Sequence, residues 1–187
     1  MRFHVTTAAA CLLVAAASSP MLGSAAAQGC GPTRLKVSES VVLDLPPATV
    51  WAMVGNFQDM SWDQDTIGTH GTDGNQVDKA VRTIKLKSGA VFGESLYKYD
   101  AAAMSYSYHI DKIDVDRLPV QNVSATLEVS PAEGGAKTKL VWRGAFYRYL
   151  RPGEPAPDIA DADAMKAVSA YFRSGLAGLK AKLDAKT

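Results

Sequence analysis

Cysteine is nearly missing from this chain, which has two in 187 residues, Cys11 and Cys30. A fold with so few thiols is not a disulfide scaffold and must rest on its hydrophobic core. An excess of either charge is missing too, with 20 Lys and Arg against 19 Asp and Glu and no basic block. A near-neutral surface gives little pull toward nucleic acid or anionic lipid, so neither is an expected partner. Long apolar runs are confined to Ala8 to Ala17, well short of the ~20 residues a membrane-spanning helix needs. No membrane span is expected. Histidine is scarce, with His4, His70 and His109 far apart and away from other ligands. A zinc site needs three or four clustered ligands, so no metal is expected. G-x-S-x-G, the phosphate-binding loop and G-x-G-x-x-G are all missing, and no cofactor is implied.

What is present begins with a leader. Arg2 and His4 precede the apolar run, Pro20 and Gly23 break it, and Ala25-Ala26-Ala27 supply small residues. A basic start, a short apolar middle and an A-x-A end form the pattern of a cleaved export signal. We expect residues 1–27 to be a signal peptide cut after Ala27, with the mature protein in the periplasm. Cleavage removes only Arg2 among the charged residues, leaving 160 residues with 19 basic against 19 acidic groups. That length suits one domain, over residues 35–187, behind a flexible tail at 28–34. Cys30 lies in that tail, as a lipid attachment point, an intermolecular bridge or an inert thiol. Gln28 at the −2 position and the distance from the apolar run argue against lipid.

The element order follows from periodicity and turn chemistry. Leu35 to Leu43 alternates as a first strand, stopped by Pro46-Pro47. A short helix over Ala48 to Val54 follows, ended by Gly55, and a second helical turn is expected over Phe57 to Trp62. Strands are expected at Thr66–Gly71, Val77–Leu86, Ala90–Tyr99, Ala103–Ile113, Val120–Val129 and Lys137–Tyr147. Asp111, Asp114 and Asp116 are irregularly spaced for a calcium loop and read as a solvated turn. Asn122-Val123-Ser124 matches a glycosylation acceptor but falls inside a strand, as a chance match. Beyond the proline-rich stretch Leu150–Asp158, one helix runs from about Ile159 to Leu183. Met165, Val168, Phe172, Leu176, Leu179 and Leu183 form its apolar stripe. The class is α+β: a curved antiparallel sheet of about seven strands wrapped around a long C-terminal helix, with two short helices after the first strand.

Several segments carry a resemblance: S-V-V-L-D-L-P-P-A-T-V-W at Ser40–Trp51, N-F-Q-D-M-S-W at Asn56–Trp62, and R-T-I-K-L-K-S-G at Arg82–Gly89. E-S-L at Glu94–Leu96, Y-S-Y at Tyr106–Tyr108, V-W-R-G-A-F-Y-R at Val141–Arg148 and Y-F-R-S-G-L-A-G-L-K at Tyr171–Lys180 extend it. With the element order, they resemble the helix-grip fold of the START/Bet v 1-like (SRPBCC, polyketide cyclase/dehydrase-like) superfamily, most closely its periplasmic MxaD-like branch. The resemblance implies an apolar ligand cavity under the long helix and a small hydrophobic ligand. For the branch, it implies an accessory role in methanol oxidation by a quinoprotein dehydrogenase and its cytochrome c partner. Where relatives often carry His-Pro after the Trp62 position, this chain has Asp63-Gln64, so preferences resting on that loop do not transfer.

Within this frame eight residues are candidates for the cavity: Trp62, Arg82, Glu94, Tyr106, Tyr108, Trp142, Phe172 and Gly175. Strand parity puts Arg82 with Ile84 and Leu86, and Glu94 with Phe92 and Leu96, so both charges face inward. They read either as a buried ion pair holding the sheet or as a guanidinium presented to a ligand. The aromatics read as core, or as a cavity wall whose tyrosine hydroxyls orient a ligand. Gly175, with Gly178, makes the helix small-sided, which leaves room either for a ligand or for close packing. The leading expectation is a non-enzymatic binding protein. The alternative is a cyclase or aromatase-type enzyme using Glu94 with Tyr106 or Tyr108 as an acid–base pair.

Overall fold

Alternation of buried and exposed side chains along each strand builds the architecture. A computed structural model describes residues 33–150 and 160–185. The expected signal peptide, Cys30 and most of the proline-rich segment lie outside the described residues. The described residues belong to one compact unit. It runs β1 (Leu35–Leu43), α1 (Pro47–Val54), β2 (Thr66–Thr72), β3 (Val81–Leu86), β4 (Val91–Asp100), β5 (Ser105–Lys112), β6 (Val120–Ala132), β7 (Lys137–Arg148) and α2 (Asp161–Asp184), with a 3₁₀ turn at Glu133–Gly135.

All seven strands join one antiparallel sheet in the order β1-β7-β6-β5-β4-β3-β2. β3 reads exposed–buried throughout, and β7 alternates over most of its length, as strands with one wet face must. The buried face carries the core, including Ile84, Phe92, Leu96, Leu127, Leu140, Trp142 and Phe146. α2 packs most closely along β1 and also meets β7, so it lies over one side of the sheet. Its buried residues Val168, Phe172, Leu176, Leu179 and Leu183 are the expected stripe, but Met165 is 38% exposed and Ala164 takes the inner place. With this curved sheet and long C-terminal helix, the chain has an α+β helix-grip fold.

One expected element is not formed. Residues 57–62 make turns rather than a second short helix. The side chains of Asn56 and Asp59 accept the backbone N–H of Gln58 and Ser61, and Phe57 N–H goes to the Asn75 side chain. Such local side-chain bonds take the donors a helix would need. β3 also starts later than expected, at Val81, because Lys79 and Ala80 close a turn back onto the Gln76 carbonyl. Asn122 sits at φ +50° where the β6–β7 register shifts, so its motif occupies a bulge.

Candidate functional site

The β3–β4 hairpin sets Arg82 opposite Glu94 in the ladder, and each is only 2% exposed. The guanidinium Nε donates to Glu94 Oε2 at 2.6 Å, and Nη1 donates to the Phe57 carbonyl at 2.5 Å. Its Cζ stands 4.2 Å from the centre of the Phe57 ring and 5.0 Å from that of Tyr108. Burial disfavours the charge on Arg82, but Glu94 beside it overrides that and holds its pKa above the usual range. Burial pushes the Glu94 carboxyl up, with Arg82 working against it. The pair is therefore a buried ion pair with an incomplete set of bonds, because Arg82 Nη2 and Glu94 Oε1 have no partner. Buried polar atoms left unbonded cost free energy unless water or a ligand reaches them.

The aromatic candidates gather beside this pair. Trp142 on β7 donates its indole N–H to the Tyr108 hydroxyl at 2.9 Å and stacks on Phe172 of α2 at 4.5 Å. Trp62 meets Trp142 edge-on at 5.5 Å, and Tyr106 lies 6.0 Å from Tyr108. At Gly175 an added Cβ would stand 2.8 Å from the Trp142 ring and 3.3 Å from the Asp63 carboxylate. Gly175 therefore serves close approach, not open space. The structure thus brings all eight candidates into one buried, closely packed neighbourhood.

Two further residues, not among the eight candidates, belong to that neighbourhood. Asp63 is 1% exposed, accepting from the Thr66 hydroxyl at 2.7 Å and the Asp65 N–H at 3.1 Å. Burial pushes its carboxyl up. Tyr171 touches Phe92 at 5.8 Å and Trp142 at 5.5 Å, and its buried hydroxyl has no partner. Burial first, then Glu94 and Asp63, push that hydroxyl's pKa well up. Asp63 was visible as the acidic departure after Trp62. Tyr171, one step off the apolar stripe, gave no signal of its own. The Trp62 indole nitrogen is a further buried atom without a partner.

Open space lies next to this cluster. A cavity of about 320 Å³ sits between the β3–β4 turn, the segment before β6 and the outer flank of α2. Leu86, Phe92, Leu118, Ala167 and Tyr171 supply its apolar wall, and Asp65, Lys87, Ser88 and Arg117 its polar edge. None of the eight candidates lines it. Tyr171 connects the two regions, facing the cavity on one side and Trp142 on the other.

A family model described as polyketide cyclase / dehydrase and lipid transport matches residues 34–184, the whole of the described fold apart from Thr33 and Ala185 at its two ends. The chain belongs to this family. Its fold is also that of solved structures of low identity. Protein XoxI from Bacillus cereus matches at TM-score 0.68 and 21% identity, over 81% of this chain and 98% of that one. An aromatase/cyclase from Streptomyces sp. R1128 matches at TM-score 0.65 and 14% identity, over 81% and 94%. A START superfamily protein from Mycobacterium smegmatis matches at TM-score 0.64 and 14% identity, over 83% and 100%. At these identities the likeness is one of fold. No curated protein matches the sequence. Among the described residues no group of three or more His, Cys, Asp or Glu could hold a metal, and no helix is long and apolar enough to cross a membrane.

Proposed function

We propose that this chain is a binding protein that holds a small, mainly apolar ligand in the cavity beside α2. The observation that carries this reading is an apolar-walled cavity with a polar edge that backs, through Tyr171, onto the buried aromatic cluster. Tyr171 forms its inner wall, and Trp142 and the Arg82–Glu94 pair lie in the buried cluster that Tyr171 joins. An apolar pocket with a few inward polar groups is the usual form of a small-molecule site. A titration with the apolar probe N-phenyl-1-naphthylamine tests it. Saturable one-to-one binding that quenches tryptophan emission is the expected result, and no saturable binding would remove the reading.

Binding is favoured over acid–base turnover by the state of the tyrosines. Burial pushes Tyr106 up and Tyr108 well up, away from neutral pH. A general acid works best with its pKa near the working pH, so these two are poorly placed for cyclase chemistry. Glu94 is held by Arg82 and is not a free base.

The proposal extends to location. Export rests on the Arg2-to-Ala27 pattern, and the mature protein should start at Gln28 in the periplasmic fraction. A mature N-terminus at Cys30 in the membrane fraction would replace it with a lipoprotein. An accessory role beside a quinoprotein alcohol dehydrogenase and its cytochrome c is supported by the resemblance of segments such as Ser40–Trp51 and Val141–Arg148. Faster cytochrome reduction by that dehydrogenase when this protein is added is the outcome that role requires.

A further inference from the structure

The charges around the cavity say more about its occupant than its apolar wall does. Lys87, on the β3–β4 turn, and Arg117, before β6, both stand at its edge and are exposed. Neither forms an ion pair with a described residue. The acid on the same edge, Asp65, already accepts a hydrogen bond from the Ser174 hydroxyl. Its backbone carbonyl takes the Lys87 N–H at 2.8 Å, which ties the turn to the loop before β2. The cavity edge thus carries two cations against one acid.

Deeper in, the balance reverses. Asp63 and Glu94 are both buried, with Arg82 as the one buried cation among the described residues. Arg82 already spends Nε on Glu94 and Nη1 on the Phe57 carbonyl. An anion pushed inward would meet a net negative interior in a low-dielectric setting, where like charges repel strongly. An anion held at the edge would meet Lys87 and Arg117 while its apolar body lies against Phe92, Leu118 and Tyr171.

We infer that the cavity takes a monocarboxylate with a short apolar body, acid group outward between Lys87 and Arg117. This rests on the cavity reading above and gives that ligand a class and an orientation. A single negative charge matches the edge, where two cations face one acid. A cationic amphiphile would meet two like charges on entry. The hydroxyl of Ser88 adds a donor on the same edge.

Three probes with the same body separate the ideas: octanoate, octanol and octylamine, each titrated against tryptophan emission. Trp142 lies directly behind Tyr171, so occupancy reaches a fluorophore. Octanoate should bind about tenfold more tightly than octanol at low salt, and octylamine the weakest. Raising the salt to about 0.5 M should weaken octanoate and leave octanol unchanged, because exposed charges are screened. The double variant Lys87→Gln with Arg117→Gln changes only exposed side chains. It should bring octanoate to the level of octanol while octanol itself stays within about twofold. Octanol binding as tightly as octanoate in the wild type would overturn the carboxylate class and leave the cavity standing. An octanoate preference that survives the double variant would overturn the orientation. Failure of all three probes to bind would overturn the cavity reading and this inference together.

Discussion

Two stretches of α2 meet the sheet in different ways. Around Gly175 and Gly178 the contact is closed. An added Cβ at Gly178 would stand 2.5 Å from the Gln64 side chain and 2.9 Å from its backbone nitrogen, and Gly175 is equally confined by Trp142. One and two turns earlier, Tyr171 and Ala167 border the 320 Å³ cavity. Small residues on this helix therefore mark where a loop or a ring comes close. That cavity lies on the β3–β4 side of α2, whose closest packing is along β1. At the closed stretch an added atom has no room, so changes there should be costly, whereas changes at the open stretch should mainly affect binding.

The largest effect is expected at the buried ion pair beneath both stretches. Arg82→Met should lower stability by about 3–5 kcal/mol, because it strands Glu94 in a buried site. Adding Glu94→Gln should recover part of that loss. Full recovery is not expected, since the Phe57 carbonyl also loses its donor. The single variant should also show a particular pH dependence. Burial raises the folded-state pKa of Glu94, and without Arg82 nothing opposes the rise. The variant's stability is then greatest below the unfolded value of about 4.3 and is lost as pH rises through the folded value. Denaturation midpoints should therefore show its deficit widening from pH 4 to pH 7. A deficit that narrows instead would mean that Glu94 is not buried unpaired.

Next comes Gly175. Helix propensity alone gives Gly175→Ala a gain of up to about 1 kcal/mol. The Trp142 ring at 2.8 Å cannot step aside as a flexible side chain would, and we expect a net loss on the order of 1–2 kcal/mol. Gly175→Leu should cost more, about 3 kcal/mol or above, and should not leave the fold intact. A rise in melting temperature for Gly175→Ala would show that the closed stretch has room for a methyl group.

Ala167→Trp sharpens the comparison from the other side. It fills open space, so stability should change by less than about 1 kcal/mol while probe affinity falls at least about tenfold. A large loss of stability with unchanged binding would place the site elsewhere. Glu128→Ala gives the smallest effect and a baseline. It breaks a surface pair with Arg143 and should cost under about 1 kcal/mol in a urea melt.

Much of the frame was legible because it depends on period alone. Alternation over β3 and β4 placed Arg82 and Glu94 inward, and the three–four spacing of Val168, Phe172, Leu176, Leu179 and Leu183 gave the buried face of α2. Features that depend on side-chain bonds to nearby backbone were not legible in this way. The turns at 57–62 follow from Asn56, Asp59 and Asn75 acting on neighbouring N–H groups. Asp63 and Tyr171 belong to the site through tertiary approach, which no local pattern records. Gly175 carried a true signal of spatial constraint, yet sequence could not say whether the neighbour was a ligand or Trp142.

The direct test is where a ligand sits. With N-phenyl-1-naphthylamine bound, intermolecular NOEs should reach the methyl groups of Leu86, Leu118 and Ala167, which line the cavity. The methyls of Leu176 and Leu179, buried on the closed stretch of α2, should show none. Contacts to Leu176 and Leu179 without contacts to Leu118 and Ala167 would contradict the account.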